Sequence, residues 1–543
     1  MSPGDCGIAY RNRVPDVILE NARIWSKGSK QLAESAVIAD GRFVFVGKRS
    51  DAPRRPGAKI IDARGKVVLP GLIDSHIHML GGGRLLSSLF LGEVKNKNEF
   101  IEKIRQHART LPQTTWVTAW GWSVESWQNP QQPVKEWIDE CTGNRPAFLQ
   151  RMDFHSALVN SAALKSAGIT RHGPPDPPGG KIERHPRTGE PTGILREAAV
   201  NLVQRLLPRP TLTDQLNALK TAIDEALKHG ITTVADIPFI KELPAYEKLA
   251  QDNPRVRFFL YPIARDWASA AKQINSFRGK QGFVSAKGLK TFIDGTLGSR
   301  TALMHQPYLP QDTEAEIGER GIICEGIENG GLDKKLRIAR NAGLQPMAHA
   351  IGDAAVTLLL DAYEKVFAGS GIACRVEHAQ HIRAEDIPRF AELNIIASMQ
   401  PLHKAGDALY MEKLLGESRS STAYRFRDLY NSGAVVAFGS DWPVVSLNPF
   451  PAVETAVHGT TLTGSHWQTE QNINIARALE GYTCAGAQAL GAGGFLGCIE
   501  PGYLADFVIL DQDPFAADTS LAEIAVAATF VQGELVFTAP GWS

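Results

Sequence analysis

Eight short runs of β-forming residues alternate with amphipathic helical segments in this chain of 543 residues, and this alternation limits the fold more than any other feature. The β-type runs are 67–75, 231–237, 257–264, 288–294, 344–350, 374–379, 395–401 and 434–441. Helical segments such as 214–229, 332–342, 354–367 and 384–393 lie between them. Parallel strands need crossover connections, which are usually helices. The pattern therefore predicts an α/β fold, a (β/α)8 TIM barrel over residues 67–490.

Both ends of the chain contain further β-type runs. They are 16–25, 34–47 and 58–68 at the start, and 505–511 and 528–538 at the end. The Asp40-Gly41 pair between two apolar stretches is a strong hairpin signal. Neither end has enough strands to bury a sheet face by itself. We therefore predict one small β-sandwich built from residues 1–66 and 491–543.

The first two barrel strands are separated by about 150 residues, far more than the dozen or so of a normal crossover. We predict an insertion subdomain after the first strand, at about 92–212. It is rich in tryptophan, with residues at Trp116, Trp120, Trp122, Trp127 and Trp137.

Composition excludes several classes of partner. The 58 basic and 58 acidic residues leave no net charge to attract nucleic acid or an acidic membrane surface. No stretch approaches the roughly 20 apolar residues of a membrane span, and the first residues lack the features of a secretory signal. The six cysteines are scattered, with no Cys-x-x-Cys pair. We expect a cytoplasmic protein with free thiols and a small-molecule substrate, and the sequence is compatible with a homodimer.

Ligand-type side chains lie at the ends of the predicted barrel strands. His76 and His78 follow the first strand, and residues two apart on a strand share a face, so both imidazoles can bind one metal ion such as zinc. A His-x-His pair alone is weak evidence. Further strands end near Lys290, His349, His378 and Asp441. Because chemistry in such barrels sits at the C-terminal strand ends, this set predicts a metal site.

The motifs around these residues resemble those of a known family. They are Pro70-Gly71-Leu72-Ile73-Asp74-Ser75-His76-Ile77-His78, the segments 230–234, 290–302 and 349–353, Glu377-His378-Ala379-Gln380, Ser398-Met399-Gln400-Pro401-Leu402-His403 and Gly439-Ser440-Asp441-Trp442-Pro443. Over nearly its whole length the chain resembles the amidohydrolase superfamily of metal-dependent hydrolases. The resemblance is to the branch containing N-substituted formamide deformylase and the YtcJ-like proteins.

The resemblance implies a metal site with six ligands for one or two divalent ions, with zinc expected. The ligands are His76, His78, Lys290, His349, His378 and Asp441. A protonated ammonium cannot bind a metal ion, so Lys290 would be deprotonated or carry a carbamate formed with carbon dioxide, which could bridge two ions. The alternative is that Lys290 is an ordinary ion-pairing lysine.

The same resemblance implies a mechanism. A divalent ion lowers the pKa of its bound water to about 7, and Asp441 would pass the proton of that water to a leaving nitrogen. The expected function is hydrolysis of an amide, N-formyl or N-acyl C–N bond in a small molecule. A lactonase or deaminase on the same site is an alternative, and a non-catalytic metal-binding regulatory protein is another.

Four further residues are candidates for substrate binding. Trp122 and His155 in the insertion could wall the pocket, although tryptophan is more often a core residue. Arg300 could hold a substrate oxygen, or form an exposed ion pair. His403 could donate a hydrogen bond to the developing oxyanion, or be a structural loop histidine.

Overall fold

A computed structural model describes residues 16–542 except 29–31, 125–126, 128, 153–155, 178–179, 253, 278–282 and 311–318. The chain divides into two compact units. The first combines Met1–Met79 with Ala222–Ser543, and the second is Leu80–Thr221, which includes the range predicted as an insertion. None of the helices in the described ranges is both long and apolar enough to cross a membrane.

The described residues form 24 strands, numbered here in chain order. The first six are β1 (Val17–Glu20), β2 (Arg23–Ile24), β3 (Ser35–Ala39), β4 (Arg42–Gly47), β5 (Lys59–Asp62) and β6 (Val67–Pro70). The next ten are β7 (Leu72–Ile77), β8 (Leu89–Phe90), β9 (Val117–Trp122), β10 (Ala147–Arg151), β11 (Ser156–Val159), β12 (Gly180–Arg184), β13 (Pro191–Glu197), β14 (Ile231–Asp236), β15 (Arg257–Leu260) and β16 (Val284–Ala286). The last eight are β17 (Gly288–Phe292), β18 (Gln345–Ala350), β19 (Cys374–His378), β20 (Ile395–Met399), β21 (Val435–Phe438), β22 (Phe507–Leu510), β23 (Val526–Val531) and β24 (Glu534–Thr538).

Eighteen α-helices connect these strands in the described ranges. The first nine are α1 (Met79–Leu86), α2 (Lys97–Thr110), α3 (Glu136–Thr142), α4 (Ser161–Ser166), α5 (Asn201–Gln204), α6 (Leu212–Lys228), α7 (Leu243–Gln251), α8 (Trp267–Phe277) and α9 (Gly331–Asn341). The others are α10 (Asp353–Phe367), α11 (Ile387–Glu392), α12 (Pro401–Asp407), α13 (Met411–Leu415), α14 (Glu417–Ser420), α15 (Phe426–Asn431), α16 (Pro449–His458), α17 (Ile475–Gly481) and α18 (Cys484–Ala489). Short 3-10 turns lie at Arg49–Asp51, Ile240–Glu242, Ala384–Asp386, Thr469–Gln471 and Leu521–Glu523.

The α/β part of the first unit contains two sheets of parallel strands, called arcs here. One arc has the order β16-β15-β14-β7, and the other has the order β17-β18-β19-β20-β21. A bridge between Ile263 and Lys290 connects the arcs on one side. On the other side the backbone N–H of Asp441 donates to the carbonyl of His76 at 2.7 Å. Among the described residues the strand ladders form these two arcs and no closed ring, so the closed eight-stranded barrel stays a prediction.

Each of the eight predicted barrel runs contains a strand, but the predicted bounds of the first strand are wrong. Residues 67–75 are not one strand, because β6 ends at Pro70 and β7 begins at Leu72. A Cβ at Gly71 would lie 2.4 Å from the Thr232 hydroxyl, so only glycine fits where the chain leaves one sheet for the next. β6 pairs instead with β2 and β22. The three-residue β16 was not predicted, because so short a run carries little periodic signal.

The two remaining sheets of this unit are built from strands near the two ends of the sequence, and strands of both ends meet in one of them. Their orders are β4-β3-β1-β5 and β2-β6-β22-β23-β24, and β22 pairs antiparallel with β6. One hydrophobic cluster joins side chains of both sheets, among them Leu19 and Ile38 from the start of the chain and Phe507 and Phe530 from its end. The rings of Phe507 and Phe530 stack with their centroids 4.3 Å apart. Each chain end therefore supplies part of a core that neither completes alone.

The second unit has its own sheet and core. Its six strands follow the order β12-β13-β11-β10-β9-β8. Trp122 is fully buried in that core, and its indole N–H donates to the carbonyl of Leu149 at 2.8 Å. Trp127 and Trp137 stack in the same cluster.

Because the core is shared, a destabilising substitution in a C-terminal strand should also destabilise the N-terminal sheet. Phe507→Ala removes a fully buried ring, which typically costs about 3–5 kcal/mol of unfolding free energy. We expect faster amide hydrogen exchange in β3 as well as in β22. Leu535→Ala on β24 is the matched control, because Leu535 is 46% exposed. Unchanged exchange in β3 of a destabilised Phe507→Ala protein would contradict the shared core.

Candidate metal centre

The six predicted ligands lie at the C-terminal ends of the first unit's parallel strands. His76 is in β7 and His78 follows it directly, while Lys290, His349 and His378 are in β17, β18 and β19. Asp441 comes three residues after β21. All of them are buried except His78, which is partly exposed.

Three of the predicted ligands, His76, His78 and His378, come together with Asp441 in groups of possible ligand atoms, whereas Lys290 and His349 are not in these groups. The Oδ1 atom of Asp441 lies 3.1 Å from His78 Nε2 and 3.4 Å from His76 Nε2. The Oδ2 atom of the same carboxylate lies 3.8 Å from Nε2 of His403. Asp441 belongs to two groups of possible ligand atoms, one with His76 and His78 and the other with His378 and His403. Within each group the ligand atoms lie within 4.8 Å of one another. Imidazole and carboxylate are the donors that zinc takes in catalytic sites, so these residues fit a divalent ion.

In three of the histidines, one ring nitrogen already makes a hydrogen bond, which leaves the other nitrogen for a metal ion. Nδ1 of His78 lies 3.2 Å from the carbonyl of Ile237, and Nδ1 of His378 lies 2.8 Å from Oε1 of Gln400. In His349 the bonded nitrogen is Nε2, 2.9 Å from the carbonyl of Gly295. A carbonyl oxygen can only accept, so each bonded nitrogen carries the proton. The free lone pair is therefore on Nε2 of His78 and His378 and on Nδ1 of His349, as metal binding requires.

His76 is held by a buried pair of charges. Its Nδ1 atom contacts Oε2 of Glu377, and Nε of Arg375 donates to Oε1 of the same carboxylate at 2.8 Å. Burial would raise the pKa of Glu377, but the Arg375 guanidinium and His76 outweigh it and hold that pKa well below its usual range. Glu377 is therefore a carboxylate that keeps Nε2 of His76 free to bind metal.

Lys290 is buried without a partner for its amine. The side chain is 2% exposed, and Nζ has no hydrogen-bond partner in the described part of the chain. Burial lowers the pKa of this lysine to about 8, against the opposing effect of Glu377 and Asp441. A lowered pKa increases the fraction of neutral amine, which is the form that reacts with carbon dioxide. The environment therefore suits a carbamate better than a permanent ammonium.

A buried carboxylate fixes Asp441 against the first strand. Asp74 accepts hydrogen bonds from the backbone N–H groups of His76 at 3.0 Å and Ser440 at 3.1 Å, and from the Ser440 hydroxyl. A Cβ at Gly439 would lie 2.5 Å from the backbone nitrogen of His76, so glycine is needed for this approach. Asp441 itself has φ of 57°, in the left-handed region. Burial raises the pKa of Asp74 to about 7.

Asp294 plays a similar part between β17 and β18. Its carboxylate accepts from the backbone N–H groups of Leu303, Ile351 and Gly352 at 2.8–3.0 Å. Burial raises its pKa to about 7. These bonds attach the loop after β17 to the end of the strand that carries His349.

The predicted substrate-binding residues lie in different surroundings. Arg300 is in the loop after β17, where a guanidinium N–H donates to the carbonyl of Leu309 at 3.2 Å. His403 is in α12 and its ring stacks on His378, with centroids 5.9 Å apart. Its Nε2 atom has no hydrogen-bond partner in the ranges described. Trp122 occupies a core position in the second unit, and His155 lies outside the described residues.

Glu377, Gln400 and Asp74 belong to the sequence motifs, but their supporting contacts were not predicted. One signal was available for Glu377. Arg375 and Glu377 are two residues apart on an apolar strand, so they share a face, and buried charges must be paired. The contacts of Gln400 and Asp74 depend on neighbouring strands and had no local signal.

Comparison with known proteins agrees with this geometry. The family model described as "Amidohydrolase family" matches residues 59–537. The chain belongs to the amidohydrolase family. This match confirms the resemblance predicted from the motifs and supports a TIM-barrel-type α/β fold.

Three relatives and one solved structure show the extent of the likeness. The chain is 35% identical to Protein LONG AFTER FAR-RED 3 of Arabidopsis thaliana, over 96% of this chain and 92% of that protein. It is 32% identical to putative amidohydrolase YtcJ of Bacillus subtilis, over 89% and 91% respectively. Identity to N-substituted formamide deformylase of Arthrobacter pascens is 26%, over 97% and 99%. An uncharacterized metal-dependent hydrolase from Pyrococcus furiosus superposes with a TM-score of 0.77 at 27% identity, over 92% and 100%.

The buried position of Glu377 predicts a role in metal affinity. Glu377→Gln keeps the shape but removes the charge that holds His76, and loss of such a supporting contact typically lowers metal affinity about 10–100-fold. Zinc affinity can be measured by competition with a chelating dye. Glu364→Gln is the control, because that carboxylate is 57% exposed on α10 and pairs with Arg389. Equal zinc affinity in a folded Glu377→Gln protein would exclude this role.

Proposed function

We propose that this protein hydrolyses the C–N bond of a small amide, N-formyl or N-acyl compound. The observation that carries the proposal is the Asp441 carboxylate, which lies between two groups of imidazole nitrogens. The proposed ligands are His76, His78, His349, His378 and Asp441, with Lys290 as a carbamate. A bound divalent ion, for which we propose zinc, lowers the pKa of a coordinated water to about 7 and polarises the scissile carbonyl.

Asp441 would move the proton. Burial would raise its pKa, but the neighbouring His76 and His78 hold it well below its usual range, so the group is a carboxylate at neutral pH. Its side chain is 11% exposed, which leaves it accessible from the strand ends. It would accept a proton from the attacking water and give it to the leaving nitrogen, the part that a general acid–base group plays in such reactions.

His403 and Arg300 would act on the substrate. Nε2 of His403 is buried and has no hydrogen-bond partner in the described residues, and it lies on the Oδ2 side of Asp441. A hydrogen bond from this nitrogen would stabilise the negative charge that develops on the carbonyl oxygen. Arg300 would hold a more distant substrate oxygen. Trp122 and His155 remain proposals for substrate choice in the second unit.

Lys290 would complete the centre as a carbamate. When its neutral amine adds to carbon dioxide, an N–C bond forms and one N–H proton is released to solvent, which leaves an anion with two oxygen ligands. The buried Nζ atom, which has no hydrogen-bond partner among the described residues, supports this, because an ammonium without hydrogen bonds would be costly there. The described cysteines Cys141, Cys324, Cys374, Cys484 and Cys498 are free thiols, which supports our proposal of a reducing, cytoplasmic compartment.

A substrate panel tests the proposed reaction. We expect turnover of N-formyl or N-acyl amines, lost on chelation and restored by zinc. Asp441→Asn should lower kcat by about 10²–10⁴-fold, because it removes the base but keeps the shape. Turnover confined to lactones or to aminated heterocycles would favour the lactonase or the deaminase. No turnover of any class by the zinc-loaded protein would favour the non-catalytic regulatory protein.

Replacement of the lysine tests the carbamate. Lys290→Ala should lower metal content and abolish turnover, and a short carboxylic acid that fills the gap should restore part of both. Lys335→Ala is the control, because the partly buried amine of Lys335 donates a hydrogen bond to the hydroxyl of Thr291, which is next to Lys290 on β17. Full activity of Lys290→Ala would contradict the proposal, as would a bare amine seen at Lys290 in a metal-loaded crystal.

A further inference from the structure

We propose that Asp236 is a positioning residue of the metal centre, which holds His78 in the orientation that a divalent ion needs. The proposal rests on the ligands named in the proposed function and adds a residue that they do not include. Asp236 ends β14, is 1% exposed, and pairs with Ile77 on β7, directly before His78. Among the described residues it is in neither group of possible ligand atoms around Asp441, so it would act through His78.

His78 needs support from outside its own strand. Of the four proposed histidine ligands, three are in strands, whereas His78 occupies the single position between β7 and α1. Its side chain is 30% exposed, and the other three histidines are buried. A side chain that can rotate loses that freedom when it binds a ligand, and this loss weakens binding. Contacts that fix His78 beforehand should therefore strengthen its hold on a metal ion.

The Asp236 carboxylate is connected to both the backbone and the ring of His78. Its Oδ1 atom accepts a hydrogen bond from the N–H of Met79, the residue after His78, at 2.9 Å. The same oxygen accepts from the N–H of Ile237 at 2.9 Å, and that N–H also donates to the carbonyl of Ile77 at 3.0 Å. The carbonyl of Ile237 lies 3.2 Å from Nδ1 of His78. One oxygen atom therefore joins the segment that contains the histidine to the residue that holds its ring.

The second oxygen of the carboxylate is also held. Oδ2 of Asp236 accepts a hydrogen bond at 2.6 Å from the hydroxyl of Tyr246, which is fully buried on α7. A buried polar group with all its partners in place is rigid. The carboxylate can therefore fix the position of the two segments that it joins.

The same arrangement recurs at His349. Asp294 directly precedes Gly295, whose carbonyl lies 2.9 Å from Nε2 of His349. Asp294 also accepts from the N–H of Ile351, two residues after His349, at 3.0 Å. Asp236 likewise directly precedes the residue whose carbonyl holds its histidine, and it accepts from the N–H just after that histidine. Two buried aspartates in equivalent places beside two ligands support a positioning role.

Zinc affinity, measured by competition with a chelating dye, tests the proposal. Asp236→Ala removes all three acceptor contacts and should weaken zinc binding about 10–100-fold, the typical loss for a supporting contact. Asp236→Asn keeps an oxygen that can accept both backbone N–H groups, and its amide can donate to Tyr246, so it should restore most of the affinity. Asp386→Ala is the control, because this equally buried carboxylate bonds Thr357 and Arg389, neither of which is a proposed ligand.

Crystals of the metal-free Asp236→Ala protein provide a second measurement. We expect Nδ1 of His78 to leave hydrogen-bond distance of the Ile237 carbonyl, because the N–H groups of Met79 and Ile237 no longer share an acceptor. The same contact should be unchanged in metal-free Asp386→Ala. This measurement needs neither metal nor turnover.

Weaker zinc binding in Asp236→Ala than in Asp386→Ala, recovery in Asp236→Asn and a displaced His78 ring support the proposal. Unchanged affinity in a folded Asp236→Ala protein, an equal loss in Asp386→Ala, no recovery in Asp236→Asn, or a ring that stays in place would overturn it. If Asp236→Ala does not fold, Asp236→Leu, which fills the space without an acceptor, replaces it. If the unsubstituted protein binds no zinc, the proposed function fails, and the ring position in the metal-free crystals still decides the role of Asp236.

Discussion

The buried carboxylate of Asp74 joins two segments that are 366 residues apart in sequence. It holds the backbone of His76 at the end of β7 and both donors of Ser440 after β21. Ser440 is next to Asp441, so the same bonds bring the end of the first strand, which carries two proposed ligands, to the carboxylate after the last strand. Two backbone hydrogen bonds join the same segments, from the N–H of Asp441 to the carbonyl of His76 at 2.7 Å and from the N–H of His78 to the carbonyl of Trp442 at 2.9 Å. Burial raises the pKa of Asp74 to about 7, against the opposing effect of the hydrogen bonds from Ser440 and His76.

Several charged side chains are buried in the first unit, and three of them, Arg375, Glu377 and Asp441, are linked through His76. Arg375 balances Glu377, Glu377 holds His76, and His76 faces Asp441. Removing one member of such a chain leaves another charge buried and unpaired, which is why single substitutions there should have large effects. Lys290 is the exception, because its amine has no hydrogen-bond partner in the described ranges. A carbamate bound to metal ions would give it the partners that the side chains do not supply.

Much of this arrangement could be predicted from the sequence, and the exceptions have physical causes. Parallel strands buried on both faces give apolar runs, so each of the eight predicted runs contains a strand, and the proposed ligands at the strand ends followed from the predicted topology. The boundary at Gly71 was missed because β6 and β7 are both apolar, and only the close approach of Thr232 separates them. Trp122 occupies a core position, and because tryptophan has the same sequence signal in a core and at a pocket wall, its part in substrate choice stays a prediction.

The contacts that orient the ligands were harder to predict, because they join residues far apart in the chain. Gln400 supports His378 across neighbouring strands, and Gly295 supports His349 from a loop. His403 was predicted to bind substrate, and the structure places it in a ligand group with His378 and Asp441. Metal binding and hydrogen bonding to a substrate would both use Nε2 of His403, and the sequence does not distinguish these two roles.

Anomalous X-ray diffraction at the zinc edge, from crystals grown with zinc, would show directly whether these side chains bind a metal ion. We predict a zinc peak about 2.0–2.2 Å from Nε2 of His76, Nε2 of His78 and a carboxylate oxygen of Asp441. A peak bound by other side chains, or no peak near Asp441 at saturating zinc, would contradict it.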